Sequence, residues 1–224
     1  MGHQPTLPIA DPTSAYEPNA GSLERFMRSV GKRAEIGSRS RRQQPTMSLE
    51  IRRIRPDEGL RSRAFRLHAL AEAPSAFGST LAEERAYPES LWHERAAGCA
   101  AGDDRVMFVA EQDGQWVGSV TGLTPDPGGP DRLGLLLVAM FVDGTVRRRG
   151  VGVALVESIV DWARARDAAR LTLWVASTNE AALALYRRCG FRPTGTTRAG
   201  AHDLIPVEVE MAHDLMTAGA SAAT

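Results

Sequence analysis

From Leu49 onward the apolar side chains follow two different periods, and each period marks a kind of element. "LEIRRI" alternates apolar with polar and predicts a first strand. "DEGLRSRAFRLHALAEA" sets Leu60, Ala64, Leu67, His68 and Ala71 at helical spacing, so these positions are expected to face inward on a helix stopped by Pro74. "PESLWHERAA" predicts a second, short helix with Leu91 and Trp92 on its buried face. In "RVMFVAEQDGQWVGSVTGL" two apolar runs meet at Asp113 and Gly114, residues that tolerate the positive φ a two-residue hairpin turn demands. A loop is expected over Pro125 to Pro130. The continuous apolar run "LGLLLVAMFV" has the length of a buried strand. "GVGVALVESIVDWARARD" follows as a helix with Val151, Leu155, Ile159 and Trp162 on one face, and "RLTLWVAS" as another strand, a unit of the kind that pairs strands in parallel. A last helix runs from about Asn179 to Arg188, ended by Gly190 as a left-handed cap, before two closing strands, "FRPTGTTR" and "PVEVEMAHDL", around the loop "AGAHDLI".

This order of elements predicts an α+β domain, with helices and strands around one sheet, over residues 47–217. Residues 1–46 are rich in Pro, Ser, Gly and Arg and hold no sustained period, which predicts a disordered extension; Met47, just ahead of the first strand, is an alternative translation start. Residues 218–224 are expected to form a disordered tail.

Composition narrows the function classes. The 224 residues carry 27 basic and 27 acidic side chains, so no global field favours a nucleic acid or an acidic membrane as partner, and a basic site must be local. Cys99 and Cys189 are the only cysteines and no apolar stretch reaches spanning length, which leads to the expectation of a soluble cytoplasmic protein. Lys32 is the sole lysine, so Schiff-base and P-loop chemistry have almost nothing to work with. No metal is expected, and the oligomeric state is left between monomer and homodimer.

The local basic site is "RRRGVG", where Arg147, Arg148 and Arg149 precede Gly150 and Gly152 at the start of a helix. A helix N-terminus offers unpaired N–H groups and partial positive charge, glycines let a phosphate reach the main chain, and each arginine can fork two donors onto its oxygens. A nucleotide P-loop would need a Lys that is absent, and a dinucleotide fingerprint would need a third glycine where Leu155 stands. What remains is Arg147, Gly150 and Gly152 in the pattern RxxGxG. Downstream, "NEAALALYRRCGF" sets Asn179 seven residues before Tyr186 and ends in a Gly-Phe pair.

In these two motifs the chain resembles the GCN5-related N-acetyltransferase family, and "EAPSAFGSTLAEERAYPESLW" resembles a stretch of a bacterial subgroup of small acetyltransferases. The resemblance covers roughly residues 49 to 215. It implies a mixed, largely antiparallel sheet of six to seven strands flanked by about four helices, with splayed central parallel strands. It also implies acetyl-CoA as cosubstrate and an amine of a small molecule or peptide as acceptor. The pantetheine arm would bond the strand at Met140, Phe141 and Val142, and the diphosphate would be wrapped by Arg147, Arg148, Arg149, Gly150, Val151, Gly152 and Val153, with Asn179 and Tyr186 near the arm and the thioester. Gly144 stands where many members have proline, a departure expected to alter only loop stiffness.

The chemistry divides into three roles. An alkyl amine of pKa about 10.4 is mostly charged at neutral pH and must lose a proton before it attacks. The backbone N–H of Val142 is expected to stabilise the oxyanion, and Tyr186 to protonate the departing thiolate. The base is not singled out: Glu111, Glu83, Glu84, His202, Asp203 and Glu208 are all candidates, as is a bound water. Phe77 and Tyr87 are candidates for an apolar substrate slot. An acyl-CoA sensor without turnover is the rival reading, and a nicotinamide-dependent reductase stands third.

Overall fold

The computed structural model describes residues 49–102, 104–125 and 134–215. The predicted extension, the predicted tail and most of the Pro125 to Pro130 loop lie outside them. Among the described residues seven strands and five α-helices follow the expected order with one helix, α2, added: β1 (Leu49–Arg53), α1 (Gly59–Glu72), α2 (Leu81–Arg85), α3 (Glu89–Ala101), β2 (Arg105–Gln112), β3 (Gln115–Leu123), β4 (Leu135–Val142), α4 (Val151–Arg164), β5 (Arg170–Ala176), α5 (Glu180–Arg188), β6 (Arg192–Ala199) and β7 (Val207–Asp214). Among the described residues no helix is long and apolar enough to cross a membrane.

The strands form one sheet in the order β1-β2-β3-β4-β5-β7-β6. Every neighbouring pair is antiparallel except β4 and β5. The predicted hairpin turn is in place, with Asp113 at φ 51° and Gly114 at φ 77°. Gly190 follows α5 at φ 90°, as expected of a cap.

Two features of β4 position everything that follows. Its parallel pairing with β5 is confined to Leu135↔Leu171 and Leu136↔Thr172, so the two strands part for the remaining length of β4. Second, Ser119 pairs with Phe141 and Thr121 with Val138, which leaves Ala139 and Met140 together opposite Val120: a β-bulge, with Ala139 at φ 52°. One extra residue reverses which face each later side chain meets. Leu135 and Leu137 therefore join the core under α4, with Leu155, Ile159 and Leu171, whereas Phe141 joins the core under α1 and α3, with Phe65, Phe77 and Trp116.

Packing corrects one expectation and extends another. On α1 the buried residues are Gly59, Ser62, Phe65, Ala69 and Leu70, while Leu60 is 47% exposed and His68 also faces outward. The inward face is rotated by about one residue because Phe65 packs edge-on against Trp116 at 5.9 Å and Phe141 at 5.6 Å, burying more area than the stripe of smaller residues would. The extra helix, α2, begins with a capping box in which the Thr80 hydroxyl accepts from Glu83 N–H and the Glu83 carboxylate takes the Thr80 N–H. On α3 the buried face is Trp92, Ala96 and Cys99, with Leu91 half-buried. On α4, all of Val151, Leu155, Ile159 and Trp162 are buried as the spacing predicts.

Candidate functional site

The site is built from the end of β4 outward. Asp143 N–H donates to Val117 O at 2.9 Å, so by the pleat the N–H of Val142 points to the opposite edge, the one β5 has left. The Asp143 carboxylate accepts from Thr145 N–H at 2.9 Å and from its hydroxyl at 2.5 Å, which curls the chain into a short 3₁₀ turn over Gly144–Val146. Arg148 at φ 63° and Gly150 at φ 87° then put two left-handed residues into the approach to α4.

That helix starts without a side-chain cap and without an acidic residue in its first turn. Its first main-chain bond runs from Ala154 N–H to Gly150 O at 3.0 Å, and the N–H groups of Val151, Gly152 and Val153 meet no backbone acceptor among the described residues. Three adjacent donors at the positive end of a fourteen-residue helix are a geometry that can hold an anion. Its mouth is narrow: a Cβ on Gly152 would stand 3.2 Å from Leu185 Cδ2 and 3.5 Å from Met140 Cε.

The three arginines behave differently. Arg148 and Arg149 extend into solvent without an ion pair among the described residues. Arg147 is folded back: its Nε donates to Val142 O at 2.9 Å and its Nη2 pairs with Glu72 of α1. Glu72 and Asp143 also converge on His68, whose Nε2 lies 2.9 Å from Asp143 Oδ2 and 3.4 Å from Glu72 Oε2. The outward face of α1 is thereby tied to the loop. Nothing in the sequence marks this cluster, because its members lie as far as 75 positions apart.

Asn179 caps α5 through its side-chain oxygen, which accepts from Ala182 N–H at 3.1 Å. Tyr186 lies in the core on the α4 side, 6% exposed, with its ring 5.8 Å from Phe191. No hydrogen-bond partner reaches its hydroxyl among the described residues, and burial raises the phenol well above its ordinary value.

On the opposite side of the sheet, between α1, α2, α3 and strands β2 to β7, lies a cavity of about 640 Å³. It reaches the bulge at Ala139, and Tyr186 is not among the residues that line it. Two of the candidate carboxylates line it. Glu84 is gripped by Arg66 through Nε at 3.1 Å and Nη2 at 2.8 Å and also by Ser79; burial pushes its carboxyl up, but these bonds outweigh it and leave the group below its ordinary range. Among the described residues Glu208 accepts a single bond, from Arg198 Nε to Oε2 at 2.7 Å, which leaves Oε1 uncommitted among them.

The other candidates lie elsewhere. Glu111 is taken up by Arg52 and Arg61 in an ion network with Glu58, and it does not line the cavity. Glu83 serves the α2 cap, His202 contacts Phe77 O at 2.9 Å, and Asp203 is exposed. Phe77 lines the cavity beneath the Arg66 guanidinium, 4.2 Å from its ring centre, whereas Tyr87 packs on Trp92 outside it.

Comparison with known proteins agrees with this geometry. The model of the acetyltransferase (GNAT) family matches residues 67–191, more than half of the chain. Human N-acetyltransferase 8 is 34% identical over 89 residues, a stretch amounting to 40% of this chain and 39% of that protein, well under two thirds of its length. Among solved structures, a GNAT-family acetyltransferase from Streptococcus pneumoniae superposes with a TM-score of 0.66 at 23% identity, over 75% of this chain and 100% of that one. yncA from Salmonella typhimurium, solved with its cofactor acetyl-CoA, superposes with a TM-score of 0.64 at 17% identity, over 79% of this chain and 99% of that one. At such identities the superpositions speak for the fold, and the family match together with the parted strands and the RxxGxG helix entry establishes that the chain belongs to the acetyltransferase (GNAT) family.

Proposed function

We propose that the protein transfers an acetyl group from acetyl-CoA to the primary amine of a small molecule or peptide by direct attack within a ternary complex. The observation that carries this reading is the uncapped start of α4, where three free N–H groups face a glycine-walled mouth beside the edge of β4 that β5 has left. Those donors and the charge of Arg148 and Arg149 suit a diphosphate, and the free edge of β4 at Met140 to Val142 suits an amide-bearing arm.

In this reading the acceptor amine enters from the cavity side and the thioester from the loop side, meeting in the gap between β4 and β5. The amine nitrogen attacks the thioester carbonyl, and the N–H of Val142 stabilises the charge that develops on oxygen. The C–S bond breaks as the C–N bond persists, and the thiolate takes a proton from Tyr186, whose raised pKa keeps it protonated at neutral pH. The ammonium first gives one proton to Glu208, directly or through water, because Glu208 is the cavity carboxylate with an oxygen uncommitted among the described residues. The second proton, which the nitrogen sheds on becoming an amide, restores Tyr186 by way of water. Asn179 retains its amide donors for the arm, since only its oxygen is used in the cap. Arg147 acts by bracing the loop against α1 rather than as a phosphate ligand.

The test is incubation with acetyl-CoA and a broad panel of amines, reading thiol release and acetylated product. Turnover supports the proposal. Binding of acetyl-CoA with no turnover across the panel leaves the sensor reading standing and overturns this one.

A further inference from the structure

The cavity is built asymmetrically, and the asymmetry selects its occupant. Four arginines line it, Arg66, Arg95, Arg105 and Arg198, against two carboxylates, Glu84 and Glu208. Each carboxylate is already paired, Glu84 with Arg66 and Glu208 with Arg198. Arg95 and Arg105 form no salt bridge among the described residues, although the charge of Arg95 also helps draw the Glu84 carboxyl down. Arg95 is instead held by aromatic faces, 5.3 Å from the Trp92 ring centre and 5.1 Å from that of Tyr87, and Arg105 stands at the exposed rim. Both act on the same stretch of wall, where they draw the Cys99 thiol down against the upward push of burial.

Hydrogen-bond donors are in surplus as well. Nη1 of Arg66 and the indole N–H groups of Trp92 and Trp174 are buried without an acceptor, and all three residues line the cavity. Buried donors left unmatched cost about 1–3 kcal/mol each, so an occupant rich in acceptors is favoured. Apart from the hydroxyls of Ser62, Ser79, Ser119 and Thr121, the rest of the wall is apolar and aromatic, with Phe65, Phe77 and Phe141 beside the two tryptophans. A volume of about 640 Å³ falls in the range of small-molecule sites.

We propose that the acceptor is a small primary amine carrying both an anionic group and an apolar or aromatic body, of the type of an aromatic amino acid, with Arg95 and Arg105 receiving the anion. This rests on the reading of the protein as an acetyltransferase and specifies its substrate class. Polyamines and other cationic acceptors meet uncompensated like charge and are rejected. A carboxylate and a phosphonate offer the same charge and acceptor atoms, and the assay separates them.

The experiment uses the full chain with acetyl-CoA and four acceptors: L-phenylalanine, its phosphonate analogue, L-phenylalaninamide and spermidine. Acetylated product is read by mass spectrometry, and acetyl-CoA affinity by calorimetry. One or both anionic amines should exceed the amide in kcat/KM by about tenfold or more, with spermidine below all three. Arg95→Gln and Arg105→Gln should each shrink the ratio of acid to amide by about tenfold while the Kd for acetyl-CoA stays unchanged. Equal or better turnover of the amide or of spermidine overturns the inference, as does an acid-to-amide ratio that neither variant moves. A protein that binds acetyl-CoA but acetylates no anionic amine overturns it too. Failure to bind acetyl-CoA at all would instead strike the acetyltransferase reading beneath it.

Discussion

Replacing Gly152 with valine isolates the anion receptor from the rest of the fold. The new Cβ would stand 3.2 Å from Leu185 Cδ2 and 3.5 Å from Met140 Cε, both far ends of flexible side chains, so a shift of a few tenths of an ångström accommodates it. Folding therefore loses little, within about 1 kcal/mol. The two γ-methyls, however, fill the mouth in front of the N–H groups of Gly152 and Val153. A hydrogen bond from N–H to a charged phosphate contributes about 1.5–3 kcal/mol, so losing two removes about 3–6 kcal/mol, roughly 10²- to 10⁴-fold in Kd. The assay is calorimetry with acetyl-CoA, paired with transfer rates from S-acetylpantetheine, a donor lacking the diphosphate. Acetyl-CoA should bind the variant weakly while the truncated donor reacts at close to the wild-type rate and Tm is preserved. Gly150→Ala supplies the contrast: nothing lies within 4 Å of its Cβ, but φ 87° strains any L side chain by about 1–2 kcal/mol, so stability falls first. A Gly152→Val protein that binds acetyl-CoA within threefold of wild type would refute the placement of the diphosphate at this helix.

Other perturbations probe the remaining roles. Tyr186→Phe should lower kcat and leave the Kd for acetyl-CoA unchanged; because burial raises the phenol above its ordinary value near 10, kcat should show no alkaline fall due to Tyr186 below about pH 10. A fall in kcat below pH 9 that disappears in the variant would contradict this. Glu208→Gln should lower kcat/KM by about 10²-fold with unchanged acetyl-CoA affinity, and a wild-type rate would remove Glu208 from proton transfer. Far from the site, the hydrogen bond from Arg52 pulls the Glu58 carboxyl down to about 2, against the opposing push of burial. A depressed carboxylate stabilises the fold above its unfolded pKa near 4.3 and loses that contribution as pH falls toward 2. The Tm difference between wild type and Glu58→Gln should thus be largest at neutral pH and shrink between pH 4.5 and 2; a constant difference would show that the ion pair contributes nothing to it.

The elements were legible in the sequence where one physical signal dominated. The hairpin was, because Asp113 and Gly114 are among the residues that accept the required φ. The face of α4 was, because Val151, Leu155, Ile159 and Trp162 have no competing stripe. On α1 two stripes compete, and a single aromatic, Phe65, decides between them through partners more than 50 positions away. The α2 helix was missed although Thr80 and Glu83 spell its capping box, since five residues are too few to set up a hydrophobic period. At the candidate site, the helix start behind the glycines was legible because Gly150 takes the left-handed φ and α4 begins directly after it. The ion pair of Arg147 was not, because its partner Glu72 lies 75 positions away on another element. Glu84 and Glu208 could not be separated from Glu111 and Glu83, since all are carboxylates on short elements and only topology puts two of them around one cavity.

The bulge at Ala139 joins these strands of reasoning. In a regular β4, every odd residue from Leu135 to Phe141 would face α4, and Phe141 would have no place in the aromatic cluster under α1. The extra residue turns Phe141 over to form one wall of the cavity, within 6.3 Å of the Phe77 ring, while Met140 and Val142 stay on the α4 side near the glycine-walled mouth. The same distortion falls where β4 has already left β5, so the Val142 N–H has no strand partner on that edge. One inserted residue thus gives a single strand two differently equipped faces across an open gap, an arginine-lined cavity on one and the uncapped start of α4 on the other. In the transfer proposed above, each substrate reaches the Val142 N–H from its own face of this strand, the thioester from the α4 side and the amine from the cavity.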